Sequence, residues 1–158
     1  MKTLQIDETN AKKWYKEAAP EFKAMLEDTF KKEFFSDKIT DRVKTYEDAC
    51  KENGESPMPE GSIMSIVVTG LTTDERNYRK LKTITKALNE GWAPDWSDSD
   101  QKKWFPYFDA SSGFAFGGAG YRYSHPCAGD GSRLCFKSKE LAEYAGRQFT
   151  DLYKGFIL

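Results

Sequence analysis

Histidine is nearly absent from the chain: His125 stands alone. Cysteine is scarce too, with Cys50, Cys127 and Cys135 widely spaced and no CxxC pair. With one histidine and three scattered cysteines, and without the close ligand spacing of zinc motifs, a structural zinc site is not expected. Scattered thiols in odd number fit a reducing, bacterial-type cytosol better than a disulfide framework. The alternative is a single Cys127–Cys135 bridge across a hairpin. No apolar run approaches the roughly 20 residues that a membrane helix needs. The longest, SIMSIVVTGL from Ser62 to Leu71, is far too short. The opening MKTLQIDETNAKKW lacks an apolar h-region and a small-residue cleavage site, so it does not read as a secretory signal. An excess of either charge is missing as well. With 24 basic and 25 acidic side chains the net charge is -1, which gives no global attraction to nucleic acid or membrane. Internal repeats, low-complexity tracts and charge blocks are lacking.

What is present is an unusual share of aromatic residues, 15% of 158, beside a low hydrophobic share of 39%. Each buried ring removes a large area from water, so a small core rich in Phe, Tyr and Trp is expected. The length fits a single domain spanning 1–158. Its expected parts are a helical N-terminal region at about 7–54, a linker at 55–62, and a helix, β-hairpin and C-terminal helix over 63–158. LQI at Leu4–Ile6 reads as a short strand, and Thr9 as the cap of a first helix. Pro20 sits where the first turn of a second helix accepts it. That helix, through Phe35, would present Phe22, Met25, Leu26, Phe30 and Phe34 as one stripe. Thr45 with Asp48 forms a capping box, and Gly54 stops that helix. ESPMPEGS is the linker. Thr73 is expected to cap a helix carrying Tyr78, Leu81, Ile84 and Leu88, ended by Gly91. SSG and GGAG split the aromatic stretch Trp104–Tyr123 into strands and loops. RLCFK, Arg133–Lys137, alternates like a strand. Ser138 caps a final helix striped by Leu141, Ala145, Phe149, Leu152 and Phe156.

The fold class that follows is α+β: four to five helices packed with a small antiparallel sheet, the C-terminal helix covering one face. Phe105, Tyr107 and Trp92 are expected against that helix. Phe114, Phe116, Tyr121 and Tyr123 are expected on or near a loop.

Candidate chemistry is sparse. His125, Cys127 and Asp130 could form a small catalytic or ligand-binding loop, since a thiol activated by a neighbouring base is a nucleophile. No signature surrounds them, and Pro126 points to a turn. Asp95, Asp98 and Asp100 fail as a calcium loop, because the fifth and sixth positions from Asp98 are Lys102 and Lys103. GGAG resembles half a phosphate-binding fingerprint, but it neither follows a clear strand nor opens a helix. It reads as a turn or flexible tip. No cofactor, metal site or catalytic set is expected. The rings of Trp104–Tyr123 could serve as a core, a protein-binding surface, or stacking platforms for single-stranded nucleic acid or glycan.

Four blocks, KITDRVKTYEDAC, ALNEGWAPDW, KKWFPYFD and GSRLCFKSKELAEYAGRQFTDLYKGF, resemble an uncharacterised family encoded by phages and prophages of Bacteroides-type gut bacteria, crAss-like phages included. The likeness covers roughly Asn10–Leu158. It carries no catalytic residues to transfer. It implies a virion component or an accessory protein in the host bacterial cytoplasm. The leading expectation is a non-enzymatic interaction protein with a protein partner or self-association, no membrane role, and nucleic acid as a weaker alternative. Its candidate surface lies in the Gly/aromatic segment 104–130: Phe114, Phe116, Tyr121, Arg122, Tyr123 and His125.

Overall fold

Asp7, Thr45, Thr72 and Ser138 cap four of the helix starts. The computed structural model describes residues 6–59, 70–111, 113–126 and 133–158. These fall into two compact units, Met1–Arg42 and Val43–Leu158. Leu4 and Gln5 of the expected strand Leu4–Ile6, most of Ser62–Leu71, and Cys127 and Asp130 lie outside the described residues, and Ile6 is in no strand.

In the first unit, α1 (Glu8–Glu17) is capped by Asp7, not by Thr9: the Asp7 carboxylate accepts the Asn10 N–H at 2.8 Å. Pro20 opens α2 (Pro20–Phe30) at the first turn as expected. The helix does not run on to Phe35. Lys31 takes a left-handed φ of 67°, and Lys32–Phe35 forms a 3-10 turn. A straight helix would carry Phe35 off the face that holds Phe30. The break instead stacks Phe35 on Tyr15, with centroids 4.0 Å apart, and sets it edge-on to Phe34. Of the expected stripe only Leu26 is buried; Phe22 and Met25 are exposed within this arrangement. A short α3 (Ile39–Arg42) ends the unit.

In the second unit, α4 (Tyr46–Asn53) carries the Thr45–Asp48 capping box and ends at Gly54 with φ 66°. The longest helix, α5 (Thr73–Asn89), is capped one residue earlier than Thr73. The Thr72 N–H and hydroxyl both donate to the Glu75 carboxylate at 2.8 Å. It ends at Glu90, already left-handed, before Gly91. Leu81, Ile84 and Leu88 are buried, Tyr78 half-buried.

Among the described residues the sheet has two antiparallel strands, β1 (Lys103–Asp109) and β2 (Ala115–Arg122). The strands are joined between Asp109 and Ala115, where the Asp109 carboxylate accepts the Ser111 N–H. GGAG is no turn: Gly118, Ala119 and Gly120 pair with Tyr107, Pro106 and Phe105 inside β2, and Gly117 is the extra residue of a bulge. The Tyr107 ring lies where side chains at Gly117 and Gly118 would stand. A Cβ there would come within 2.7 and 2.6 Å of it.

RLCFK is not a strand either. Phe136 alone makes a bridge, exchanging both hydrogen bonds with Trp104 at 3.0 and 2.7 Å. Leu134, Cys135 and Phe136 are buried in succession, without alternation. The buried Asn89 side chain takes the place of a further strand. It donates to the Cys135 carbonyl and accepts the Lys137 N–H.

The expected single C-terminal helix is two, α6 (Lys139–Gln148) and α7 (Thr150–Ile157), broken at Phe149. The Thr150 hydroxyl donates to the Gly146 carbonyl at 2.7 Å, a local competitor for the helical ladder. The break turns Tyr153 inward in place of Leu152; Leu141, Ala145 and Phe149 are buried as expected. Helix α6 packs across both strands, while α5 packs on α4 and α7, an α+β arrangement with the C-terminal helices against the sheet. Gly146 is the point of closest approach. A Cβ there would lie 2.4 Å from the Phe116 ring and 2.9 Å from Pro106.

Candidate functional site

Alternation along the hairpin decides which rings are covered. Trp104, Pro106, Phe108, Phe116 and Tyr121 share the face turned toward α6; Phe105, Tyr107 and Arg122 share the other. Tyr107, expected to be mostly buried, is 51% exposed; Phe105 and Trp92, expected to be mostly buried as well, are half-buried.

The six candidate surface residues separate along the hairpin. Phe114 and Phe116 sit at its turn end and are half-buried. Phe114 stacks on Phe108 at 4.7 Å, and the Arg147 guanidinium lies 4.8 Å over Phe116. Both belong to strand or turn packing and not to a free loop. Tyr121, Arg122, Tyr123 and His125 lie at the opposite end and are exposed. There Tyr121 meets Tyr123 at 5.3 Å and Trp104 at 4.8 Å, with the Lys102 ammonium 4.8 Å over the Tyr121 ring. On the other face the Arg122 guanidinium lies 5.4 Å over Phe105. The open end of the hairpin is therefore an aromatic platform edged by cations. Cross-strand pairing brings Lys102 and Trp104 into it.

The His125 loop cannot be assembled from the described residues, since only His125 is among them. No group of three or more His, Cys, Asp or Glu side chains placed to hold a metal occurs among the described residues. None of the described helices is long and apolar enough to cross a membrane. Lys103 is fully buried; its ammonium donates to the Asp98 carbonyl at 2.8 Å and lies 5.4 Å from the Trp96 ring. Cys50 and Cys135 are buried thiols. Burial pushes the Cys135 thiol up to about 11, against weaker opposite pulls from its backbone N–H and from Lys103.

That shift has a measurable consequence. The folded chain holds the Cys135 proton more tightly than the unfolded chain, whose thiol titrates near 9. The stabilisation is complete below pH 9 and is lost as pH rises from 9 to 11. Urea midpoints compared at pH 8 and pH 10.5 are expected to fall by the equivalent of roughly 1–2 kcal/mol from this group. Cys135→Ala should flatten that part of the slope. An unchanged slope in the variant would show that other groups carry it.

A groove of about 710 Å³, which no sequence motif marks, runs along α5. It is lined in part by Tyr46, Tyr78, Arg79, Lys82, Thr83 and Lys86. Its cations are spread over a helix face and become neighbours only when the helix forms. Two are already engaged: Lys86 pairs with Glu55 at 2.6 Å, and Lys82 lies 5.3 Å over Tyr78.

No family model, curated protein or solved structure matches the chain.

Proposed function

We propose that this protein is a non-enzymatic interaction protein of phage origin, acting in the host bacterial cytoplasm or as part of a virion, with the open end of its hairpin as the partner surface. The observation that carries the reading is the pair Tyr121 and Tyr123, each 40% exposed and in ring contact. Lys102, Arg122 and His125 are exposed around it. Tyr and Arg are the side chains that dominate interface energetics, because a rigid ring or guanidinium buries much area at little entropic cost. The phage origin is supported by the four sequence blocks that resemble the phage and prophage family. A protein partner fits better than nucleic acid, since the net charge of -1 gives no steering field.

The test is a triple variant, Tyr121→Ala, Arg122→Ala and Tyr123→Ala. These positions are exposed, so its urea midpoint should stay within about 1 kcal/mol of the parent. A complex recovered from infected host cells by the parent should be lost by the variant and kept by Lys86→Ala. Light scattering on a sizing column separates self-association from a foreign partner. A complex that survives the triple variant defeats the proposed surface. The cation–ring pairs Lys102–Tyr121 and Arg122–Phe105 also favour a second reading, stacking of single-stranded nucleic acid. A salt-sensitive gel shift abolished by the same variant would decide for it.

A further inference from the structure

The outer edges of the two strands differ. Trp104 spends both backbone groups on Phe136, so its backbone points away from β2, and by alternation so does that of Pro106. That edge of β1 is closed: Trp104 is paired, and Pro106 has no N–H to offer. The same alternation gives the outward positions of β2, since Trp104 stands opposite Tyr121 and Pro106 opposite Ala119. The backbone N–H and C=O of Ala119 and Tyr121 therefore point out of the sheet's edge. Neither backbone has a hydrogen-bond partner among the described residues. No proline interrupts β2 from Ala115 to Arg122. Such an open edge is a template for another strand.

The residues along this edge specify the strand that fits it. Side chains are small or absent from Gly117 to Gly120 and large from Tyr121 to Tyr123. We propose that β2 pairs antiparallel with β2 of a second copy of the chain, about a twofold axis at Gly120, so that the two hairpins form one continuous sheet. The inference rests on reading this end of the hairpin as the partner surface, and it names the partner and the mode of contact. Antiparallel bonding requires an outward residue to meet an outward residue. With the axis at Gly120, Ala119 meets the partner's Tyr121, and Tyr121 meets the partner's Ala119, each pair exchanging both backbone bonds. The same register sets Arg122 opposite the partner's Gly118 and Tyr123 opposite the partner's Gly117, so every large side chain lands beside a small one. An axis at Ala119 would set Arg122 against the partner's Phe116 and run the ladder through the bulge at Gly117. An axis at Tyr121 would set that ring against itself. Tyr107, 51% exposed, leans its ring across Gly117 and Gly118, beside the place that the partner's Arg122 takes. The net charge of -1 puts little repulsion between copies. The contact covers one strand edge, less than the about 1,200 Å² of a standard interface, so the association is weak and concentration-dependent.

The experiment follows the full chain by sedimentation equilibrium and by amide exchange over a range of concentrations. The average mass is expected to rise from that of one chain toward that of two. The Ala119 and Tyr121 amides should gain protection as it rises, by roughly 10-fold or more in exchange rate. The Gly120 amide faces β1 and should not change. Ala119→Pro removes one outward N–H and leaves the tyrosines in place. Pro106 already occupies the matching position across the ladder, so the variant should fold and stay monomeric. The proposal is overturned if the mass stays at one chain throughout. It is also overturned if the chain dimerises without protection at Ala119 and Tyr121, or if folded Ala119→Pro still dimerises. These results leave the wider reading of the surface to its own test. A foreign complex lost in the Tyr121, Arg122 and Tyr123 triple variant but kept in Ala119→Pro would uphold the side-chain surface and reject strand pairing. The amide exchange needs no substitution, so the test stands even if Ala119→Pro fails to fold.

Discussion

Phe136→Ala is expected to lower the stability of the Val43–Leu158 unit by about 3–5 kcal/mol, the range for emptying a fully buried phenylalanine site. Phe136 is 0% exposed and among the largest fully buried side chains in the protein. Its backbone is pinned by the two hydrogen bonds to Trp104, so the segment cannot slide to refill the space. The loss therefore includes a cavity contribution beyond the transfer of the ring to water. Urea unfolding followed by tryptophan fluorescence measures it, and Phe136→Leu should recover about half or more of the loss, since it restores most of the volume. A loss below about 1 kcal/mol would mean that the core of this unit lies elsewhere.

Local signals in the sequence were reliable where the physics is local. The Thr45–Asp48 box, the Gly54 stop and Pro20 at a first turn each depend on residues within one helical turn, and each stands as read. The stripe of Leu81, Ile84 and Leu88 likewise needs only helical periodicity. The errors came where a distant partner decides. GGAG carries the composition of a turn, but its glycines sit in a strand because the rings of Tyr107 and Phe105 lie over them from β1. RLCFK alternates like a strand, yet the position of a neighbouring strand is taken by one side chain of α5. No glycine or proline marks the break at Phe149. The Thr150 hydroxyl and the inward turn of Tyr153 mark it only in three dimensions.

The candidate surface was legible only in part, for the same reason. Tyr121, Arg122, Tyr123 and His125 are exposed at one end of the hairpin, while Phe114 and Phe116 sit at the other end in packing contacts. Sequence proximity suggested one patch; strand direction divides it, because the two ends of an eight-residue strand stand far apart. Helical periodicity in the sequence points to Leu152 and not to Tyr153. Only the break between α6 and α7 turns Tyr153 into the core.

Asn89→Ala is expected to cost about 2–3 kcal/mol, although it removes only a small polar side chain. Asn89 is 4% exposed, and its amide does the work of a strand backbone. The nitrogen donates to the Cys135 carbonyl at 2.9 Å, and the oxygen accepts the Lys137 N–H at 3.0 Å. Alanine leaves the buried carbonyl with no donor, a penalty that water cannot easily relieve there. Asn89→Asp separates the two bonds. It keeps the acceptor for Lys137 but places carboxylate oxygen against the Cys135 carbonyl, so it should be at least as damaging as alanine. Amide exchange gives the sharper readout. The Phe136 N–H, bonded to the Trp104 carbonyl at 2.7 Å, should lose protection along with Lys137, because both depend on the same segment being held against α5. Protection lost at Lys137 alone would show that the Trp104–Phe136 bridge holds the segment without Asn89. Loss at both would make this one side chain the clasp that sets Leu134, Cys135 and Phe136 into the core.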